Sequence, residues 1–254
     1  MIMDHKKMFE FCYGCEQESF TETAIITPFL SLKRFKEHCD AGKNFKGRLY
    51  SGFTAKKNGK GITVIHCGMG DRLLGDGVML LKESPVKRII FIGSCGGLKD
   101  CEIGDLILCE DAFNGEGFSR YHEDNFKMDN IFHEGNLIQG SLDYTKELYQ
   151  FLRNKMGNGS ILKRGNIFTI GAITAEREEI IQAIEGEGFF GIDMELSSVF
   201  SAACTAGLEA VGLLFVSDIP LRKPFWYKMG SEDKIRLNNA IEKTVQLSLE
   251  FASE

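Results

Sequence analysis

The order of apolar and amphipathic segments predicts an α/β fold in which a mixed, mostly parallel central sheet is flanked by helices. Short continuous apolar runs, typical of strands buried on both faces, alternate with segments of helical period along most of the chain. Hydrophobic residues make up 43% of the 254 residues, which is enough for a substantial core. The sequence contains no internal repeat, low-complexity tract or linker, so residues 1–254 are predicted to form a single domain.

The first part of the chain predicts five strands and two helices. The strands are expected at 23–28, 48–55, 61–67, 88–93 and 105–111, and the helices at 31–39 and 72–83. Ser31 has a side chain suited to the N-cap of the first of these helices. We expect a turn at 40–46 and assign no element to residues 1–23, which are mixed and polar.

The second part continues the alternation of strands and helices. Strands are expected at 163–173 and 213–217, and helices at 143–155, 174–184, 194–206 and 232–252. Residues 114–136 are polar, aromatic and glycine-bearing without a clear period, which predicts a loop or lid. A turn is expected at 186–188, and a loop at 222–231 around the single Trp.

Net charge and cysteine usage limit the classes of function. Thirty basic and 36 acidic residues give a net charge of −6, which argues against nucleic acid or an anionic membrane as partner. No apolar run approaches the ~18 residues of a membrane span, and the N-terminus lacks the apolar core of a signal peptide. The eight cysteines are scattered, as in reduced cytosolic proteins, so we expect a cytoplasmic location. Cys12 and Cys15 have metal or redox spacing, but no second such pair completes a site, and no metal is predicted.

Three carboxylates lie at the ends of predicted strands. Asp193 and Glu195 flank Met194 where a strand leads into a helix, and Asp218 ends the following strand. A carboxyl group at the end of a buried strand borders a dry pocket, where burial raises its pKa and lets it deliver a proton near neutral pH. A lone Asp would more often cap the next segment, but the nearby pair favours a functional site.

Glycine-containing turns follow two further strands, at 67–70 and 94–97. In α/β sheets ligands bind beyond the carboxyl ends of the strands, and the N–H groups of such turns can hold an anion. Neither turn matches the GxGxxG or P-loop pattern, so the sequence does not indicate a nucleoside triphosphate.

In order and spacing these segments resemble the nucleoside phosphorylase superfamily of trimeric and hexameric enzymes, from about Thr23 to the end of the chain. The resemblance is carried by Cys-Gly-Met-Gly at 67–70, Ile-Gly-Ser-Cys-Gly-Gly at 92–97, Asp-Met-Glu at 193–195 and Val-Ser-Asp at 216–218. Hexameric purine nucleoside phosphorylases look most similar, followed by methylthioadenosine/S-adenosylhomocysteine nucleosidases and then uridine phosphorylases. The resemblance implies a phosphorylase/hydrolase-like fold and a homo-oligomer, from dimer to hexamer.

The resemblance also implies phosphorolysis of a purine nucleoside to free base and ribose 1-phosphate. Asp218 would protonate or hydrogen-bond the purine N7, and Ser217 would orient Asp218. Glu195 would accept hydrogen bonds from the ribose hydroxyls, with Met194 packed against the sugar. Further residues expected at the nucleoside are Met69, Cys95, Gly96, His122, Phe168, Ile173, Ile192 and Asp193. At position 193 the family usually has Glu.

The expected phosphate site departs from the family pattern. Family members hold phosphate with arginines and backbone amides, because the guanidinium fork matches phosphate oxygens. Here Phe91 and Phe29 stand where an arginine and a glycine are expected, and Lys33 replaces a second arginine. The residues expected to hold phosphate are Ser94, Lys33 and Arg48, the last lent by a neighbouring subunit. Phosphate is a co-substrate, and no cofactor is expected.

Two alternatives remain open beside phosphorolysis. Hydrolytic nucleosidases activate water with a glutamate in the first strand–helix turn, and residues 28–33 contain none. A nucleoside-binding protein with a decayed site is favoured by Phe29 and Phe91, whereas Asp218 and Glu195 argue against it.

Three polar side chains outside these motifs are further candidates. Residues 115–122 resemble the family's substrate-side loop, so Arg120 and His122 are candidates to reach nucleoside or phosphate, with an ordinary solvated loop as the alternative. His5 corresponds to an N-terminal histidine that reaches a neighbour's ribose 5′-hydroxyl in hexameric members. Residues 225–227, Phe-Trp-Tyr, are interpreted as a lid or an oligomer contact.

Overall fold

The computed structural model describes residues 4–40, 42–123, 126–156 and 162–254. Ten strands run through these residues: β1 (Thr23–Thr27), β2 (Lys43–Lys46), β3 (Ser51–Lys57), β4 (Lys60–His66), β5 (Arg88–Gly97), β6 (Leu106–Gly115), β7 (Leu137–Gln139), β8 (Leu162–Ile170), β9 (Gly191–Asp193) and β10 (Glu209–Asp218). All belong to one mixed sheet, as the alternation of apolar runs predicts.

Parallel pairing forms the centre of the sheet. β1 lies between β4 and β5, β5 pairs with β10, and β8 lies between β6 and β9, all in parallel. Antiparallel strands extend the sheet at one end, in the order β4, β3, β2, and β7 adds to β6. Because β5 also pairs with β9, and β10 with β6, the strands β5, β10, β6, β8 and β9 close into a ring.

Helices cover both faces of the sheet. The helices of the described chain are α1 (His5–Tyr13), α2 (Leu32–Lys36), α3 (Asp71–Leu80), α4 (Met128–Glu134), α5 (Leu142–Met156), α6 (Glu178–Gly186), α7 (Leu196–Ala206) and α8 (Ser231–Phe251). Within the described residues, no helix has the length and apolar character needed to cross a membrane.

The side chains of β5 show how the two faces divide. Ile89 and Phe91 are buried in a cluster with side chains of α1, α3 and α7, whereas Ile90 and Ile92 are buried with α2, α5 and α8. Successive strand residues point to opposite faces, so the continuous apolar run identified in the sequence serves both layers.

Most predicted elements are confirmed, but several assignments need correction. β7 falls where no element is expected, the strand expected at 163–173 ends at Ile170, and the helix expected at 174–184 begins at Glu178. Residues 5–13, to which no element was assigned, form α1, and the predicted turn at 40–46 contains β2. The predicted loop at 114–136 contains α4, β5 continues through the expected turn at 94–97, and β10 begins four residues before the predicted strand. Ala41 and residues 124–125, inside two of the expected loops, lie outside the described residues.

The missed helix and strand share a physical reason. α1 buries Phe9 and Tyr13 against the core, and β2 buries Phe45, whose ring packs beside Tyr13 and Phe20. Each segment is short and buries few side chains, Phe9, Cys12 and Tyr13 in α1 and Phe45 in β2, so a helical or strand period extends over too few residues to stand out in the sequence.

Candidate active site

The candidate site lies where the parallel strands β5 and β10 end side by side and β9 pairs antiparallel with the last residues of β5. Backbone pairing sets Asp218 beside Gly96, and Gly96 beside Ile192. A Cβ atom on Gly96 would lie 2.7 Å from Pro220 Cγ and 3.6 Å from Asp218 Oδ2, so only glycine allows this close approach of the strands. The sheet therefore brings together residues 94–97, 193–195 and 217–218, which the sequence analysis places at or near strand ends.

Asp218 is held by the hydroxyl of its neighbour. Ser217 Oγ donates to Asp218 Oδ1 at 2.8 Å and lies 3.3 Å from the carbonyl oxygen of Cys95 on the adjoining strand. Asp218 is only 6% exposed, and burial raises the pKa of its carboxyl group against the opposing effect of the Ser217 hydrogen bond. The carboxyl is thus oriented and protonated more readily than a free aspartic acid.

Glu195 is fixed at the beginning of α7. The backbone N–H of Gly70 donates to Glu195 Oε1 at 2.8 Å, and Glu195 is 7% exposed. Gly70 has φ +107°, in the region that favours glycine, so the turn before α3 can direct its N–H towards the carboxylate. Burial raises the pKa of Glu195, opposed by this hydrogen bond.

Asp193 is buried and fully engaged with its own chain. Its Oδ2 accepts from the N–H groups of Leu196 at 2.6 Å and Glu195 at 3.2 Å, and its Oδ1 accepts from Thr169 Oγ1 at 2.7 Å. Burial, and secondly the charge of Glu195, raises the pKa of Asp193. Its predicted contact with the nucleoside is untested.

The other residues expected at the nucleoside fall into two groups. Met69 and Ile173 are exposed, so a ligand can reach them. Met194, which directly precedes Glu195 in the sequence, is partly buried. Cys95 and Ile192 are buried within the strands that form the site.

Phe168 is fully buried behind the site rather than open to it. Its ring stacks on Phe113 at 5.3 Å and meets Phe132 and Phe189 edge-on. A direct contact between Phe168 and a base remains a prediction, and in the structure the ring packs in an aromatic cluster with Phe113, Phe132 and Phe189.

Glu176 is a site residue that the sequence analysis missed. It follows a short 3₁₀ turn at 173–175, in a segment interpreted as helix, and burial together with the charge of Asp218 raises its pKa to about 7. A glutamate in a mixed, charged segment carries no sequence signal of burial. The structure therefore sets a second carboxyl group within electrostatic reach of Asp218.

The histidine of the 115–122 segment also contacts this turn. His122 Nε2 lies 3.0 Å from Thr174 Oγ1, and the imidazole stacks on Phe118 with ring centres 4.5 Å apart. Arg120 instead pairs with Glu134 at 2.9 Å. His122 therefore borders the site, whereas Arg120 is directed to α4, and His5 is an exposed residue at the start of α1.

The three residues predicted to hold phosphate lie on different segments of the described chain. Ser94 is partly buried on β5, but the Lys33 side chain is 84% exposed and lies 3.9 Å from Glu37. Arg48 is exposed between β2 and β3, where its backbone N–H donates to the carbonyl of Phe11. Phe91, at the expected arginine position, is part of the core.

A cleft of about 1,100 Å³ lies at the opposite edge of the sheet, beside the first residues of β1, β5 and β10. Arg88 in this cleft pairs with Glu209 at 2.9 Å and Glu147 at 3.2 Å, and Lys87 pairs with Glu22. These charges neutralise one another, and the cleft is remote from Asp218 and Glu195.

Comparison with known proteins identifies the family. Residues 23–252 match the family described as the Phosphorylase superfamily. The purine nucleoside phosphorylase DeoD-type 2 of Vibrio cholerae serotype O1 is 30% identical over 215 residues, which cover 84% of this chain and 82% of that protein. The purine nucleoside phosphorylase DeoD-type of Shewanella oneidensis is 30% identical over 205 residues, covering 78% and 80%.

Among solved structures, the uridine phosphorylase of Vibrio fischeri ES114 has a TM-score of 0.77 at 21% identity, covering 99% of this chain and 98% of that chain. This likeness confirms the predicted fold. The family match spans nearly the whole sequence, so the chain belongs to the phosphorylase superfamily, and the resemblance drawn from its motifs is confirmed at that level.

Proposed function

We propose that the protein is a purine nucleoside phosphorylase, which cleaves the N-glycosidic bond with phosphate to give free base and ribose 1-phosphate. The observation that carries this proposal is the placement of Asp218 and Glu195 at one edge of the sheet in different environments. Asp218 is held by a hydroxyl beside β5, and Glu195 by a backbone amide at a helix start. Two carboxyl groups so distinguished suit one proton donor and one sugar ligand.

In the proposed reaction the bond between ribose C1′ and purine N9 breaks, and its electron pair goes to the base. Asp218 gives a proton to N7 as this charge develops, while Ser217 keeps the carboxyl group in place. Glu195 accepts hydrogen bonds from the ribose hydroxyls as positive charge builds on the sugar. A phosphate oxygen then forms the new bond to C1′.

Phosphate, the proposed nucleophile, requires positively charged side chains, and few of the described residues of one chain are candidates to supply them. We place phosphate at Ser94, with Lys33 from the same subunit and Arg48 from a neighbour in a homo-oligomer. Exposed Phe11 and Leu49 lie next to Arg48, since the N–H groups of Arg48 and Leu49 donate to the carbonyls of Phe11 and Cys12. An apolar surface of this kind suits contact with a second subunit.

Purine as the base is supported by the names of the relatives, which are purine nucleoside phosphorylases, together with a buried carboxyl group, Asp218, that could protonate a purine N7. Hydrolysis is the second candidate, because Lys33 is directed to Glu37 and solvent. Water would then replace phosphate, and the products would be free base and ribose.

The experiment is an assay of base release from inosine, adenosine, methylthioadenosine and uridine at saturating phosphate. Release of hypoxanthine or adenine at rates well above that of uracil is expected. Exclusive release of uracil would overturn the purine assignment, and the absence of any released base would overturn the enzyme assignment.

A further inference from the structure

We propose that Asp193 and Thr169 are positioning residues for the ribose carboxylate, acting through Glu195 rather than by touching the sugar. The proposal deepens the proposed function, because it rests on Glu195 as the ligand of the ribose hydroxyls. It follows from the hydrogen bonds that surround the beginning of α7.

The Asp193 carboxylate caps α7. It accepts from the N–H groups of Glu195 and Leu196, which the start of a helix leaves without intrahelical partners. A negative charge at this end also interacts favourably with the helix dipole. Asp193 therefore fixes the backbone from which the Glu195 side chain extends.

Thr169 links this cap to the sheet. Its hydroxyl donates to Asp193 Oδ1 at 2.7 Å and accepts from the backbone N–H of Ser197 at 3.0 Å. Thr169 is fully buried on β8, opposite Asp193 in the parallel pairing of β8 with β9. A side chain in this position has no access to a substrate and can act only through its neighbours.

A further hydrogen bond supports the first turn of α7. The Ser197 hydroxyl donates to the carboxylate of Glu116, which follows the end of β6. The first turn of α7 is therefore tied to β6, β8 and β9 by side chains, and the Gly70 amide meets Glu195 from the other side.

These hydrogen bonds give a physical reason for an Asp at position 193. A Glu at this position, as the resemblance implies, would carry its carboxylate one methylene further. The shorter Asp keeps its oxygens beside the helix N–H groups and Thr169. In this protein the ribose hydroxyls would therefore depend on Glu195 alone.

The test compares four variants: Thr169→Val, Thr169→Ser, Asp193→Glu and Thr145→Val. Thr145 is a matched control, because its buried hydroxyl lacks a hydrogen-bond partner within the described chain and lies on α5. The probe is a 9-deazapurine C-nucleoside, whose glycosidic carbon–carbon bond does not break, in ribo and 2′-deoxyribo forms. Its Kd is measured by calorimetry, and kcat/KM is measured for the cleavable ribo and deoxyribo nucleosides.

We expect wild type, Thr169→Ser and Thr145→Val to prefer the ribo ligand by a similar factor. Thr169→Val and Asp193→Glu should reduce that preference about tenfold, the factor that one lost hydrogen bond corresponds to. The two substitutions should change the Kd of the deoxy ligand less, because 2′-deoxyribose offers Glu195 one hydroxyl fewer.

Four results would overturn the proposal: an unchanged preference in Thr169→Val, failure of Thr169→Ser to restore it, a wild-type preference in Asp193→Glu, or no ribo preference in wild type. The third would show that the length of the carboxylate at position 193 does not determine how Glu195 is held. Because Kd needs neither cleavage nor phosphate, failure of the phosphorylase assignment appears separately, as ribo-selective binding without released base.

Discussion

The backbone N–H of Gly70 donates a 2.8 Å hydrogen bond to the carboxylate of Glu195, joining residues that lie 125 positions apart. The turn before α3 and the start of α7 are thus held together at one edge of the sheet. One Glu195 oxygen is committed to this contact, so ribose hydroxyls are expected at the other and along its remaining lone pairs.

Replacing Glu195 should therefore affect ribosides more than 2′-deoxyribosides. In Glu195→Ala the ribose hydroxyls lose their acceptor, and an unpaired buried polar group costs roughly 1–3 kcal/mol. We expect kcat/KM to fall for both substrates, with the larger fall for the riboside. Equal losses on the two substrates would count against ribose binding by Glu195.

Asp218→Asn should lower kcat on a purine nucleoside by at least ~10²-fold, because a general acid contributes about that much. Asparagine keeps the shape and can still accept the Ser217 hydrogen bond, so the fold should survive, as thermal unfolding would show. Near-full activity in a folded Asp218→Asn protein would mean that Asp218 is not the proton donor.

The dependence of kcat/KM on pH should report the ionisation of Asp218. Asp218 must be protonated to act, so kcat/KM should fall as pH rises through its raised pKa. Burial and the charge of Asp218 together raise the pKa of Glu176 to about 7, whereas the pKa of Asp218 is raised by its own burial. Asp218 is therefore expected to ionise while Glu176 is still largely protonated, and Glu176→Gln should leave the fall in kcat/KM close to its wild-type pH.

Glu178→Gln provides the control for this profile, because Glu178 is exposed in the first turn of α6 and pairs with Gln182. Its profile should match the wild type. A Glu176→Gln profile clearly displaced from that of the wild type would contradict this order of ionisation and show that Glu176 is already charged when Asp218 loses its proton.

Phe91 should behave as a core residue. Phe91→Ala should lower the free energy of unfolding by about 3–5 kcal/mol, as for other buried aromatic side chains. Phe29, partly exposed with its ring edge-on to Phe215, is the comparison, and Phe29→Ala should cost less than about 2 kcal/mol.

Phe91→Arg, which introduces the arginine expected from the family resemblance, should destabilise the protein further because an unpaired charge is placed in the core. Urea unfolding measures all three variants. A stable Phe91→Arg protein with tighter phosphate binding would show instead that position 91 can open to the anion.

The strand ends were predictable from the sequence because buried parallel strands are continuous apolar runs, and the residues after them carry the chemistry. Asp218, Glu195 and the glycine turn at 67–70 were located in this way and lie at one edge of the sheet. The class of fold and the family followed from the same segments.

Other features depend on contacts between distant segments and have no local signature. Glu176 comes near Asp218 because of the path of the chain after β8. Thr169 has the sequence context of an ordinary strand residue, and only the structure shows its hydroxyl bonded to Asp193 and Ser197. The ring of five strands likewise arises from pairings of β5 and β10 that an alternating pattern does not specify.

Whether phosphate is the nucleophile is decided by a phosphate titration of inosine cleavage with analysis of the products. We expect a rate that rises with phosphate and saturates late, because lysine offers no bidentate fork, with ribose 1-phosphate as product. Lys33→Ala and Arg48→Ala should each raise the apparent KM for phosphate. A rate indifferent to phosphate, with free ribose as product and a silent Lys33→Ala, would contradict the account and establish hydrolysis.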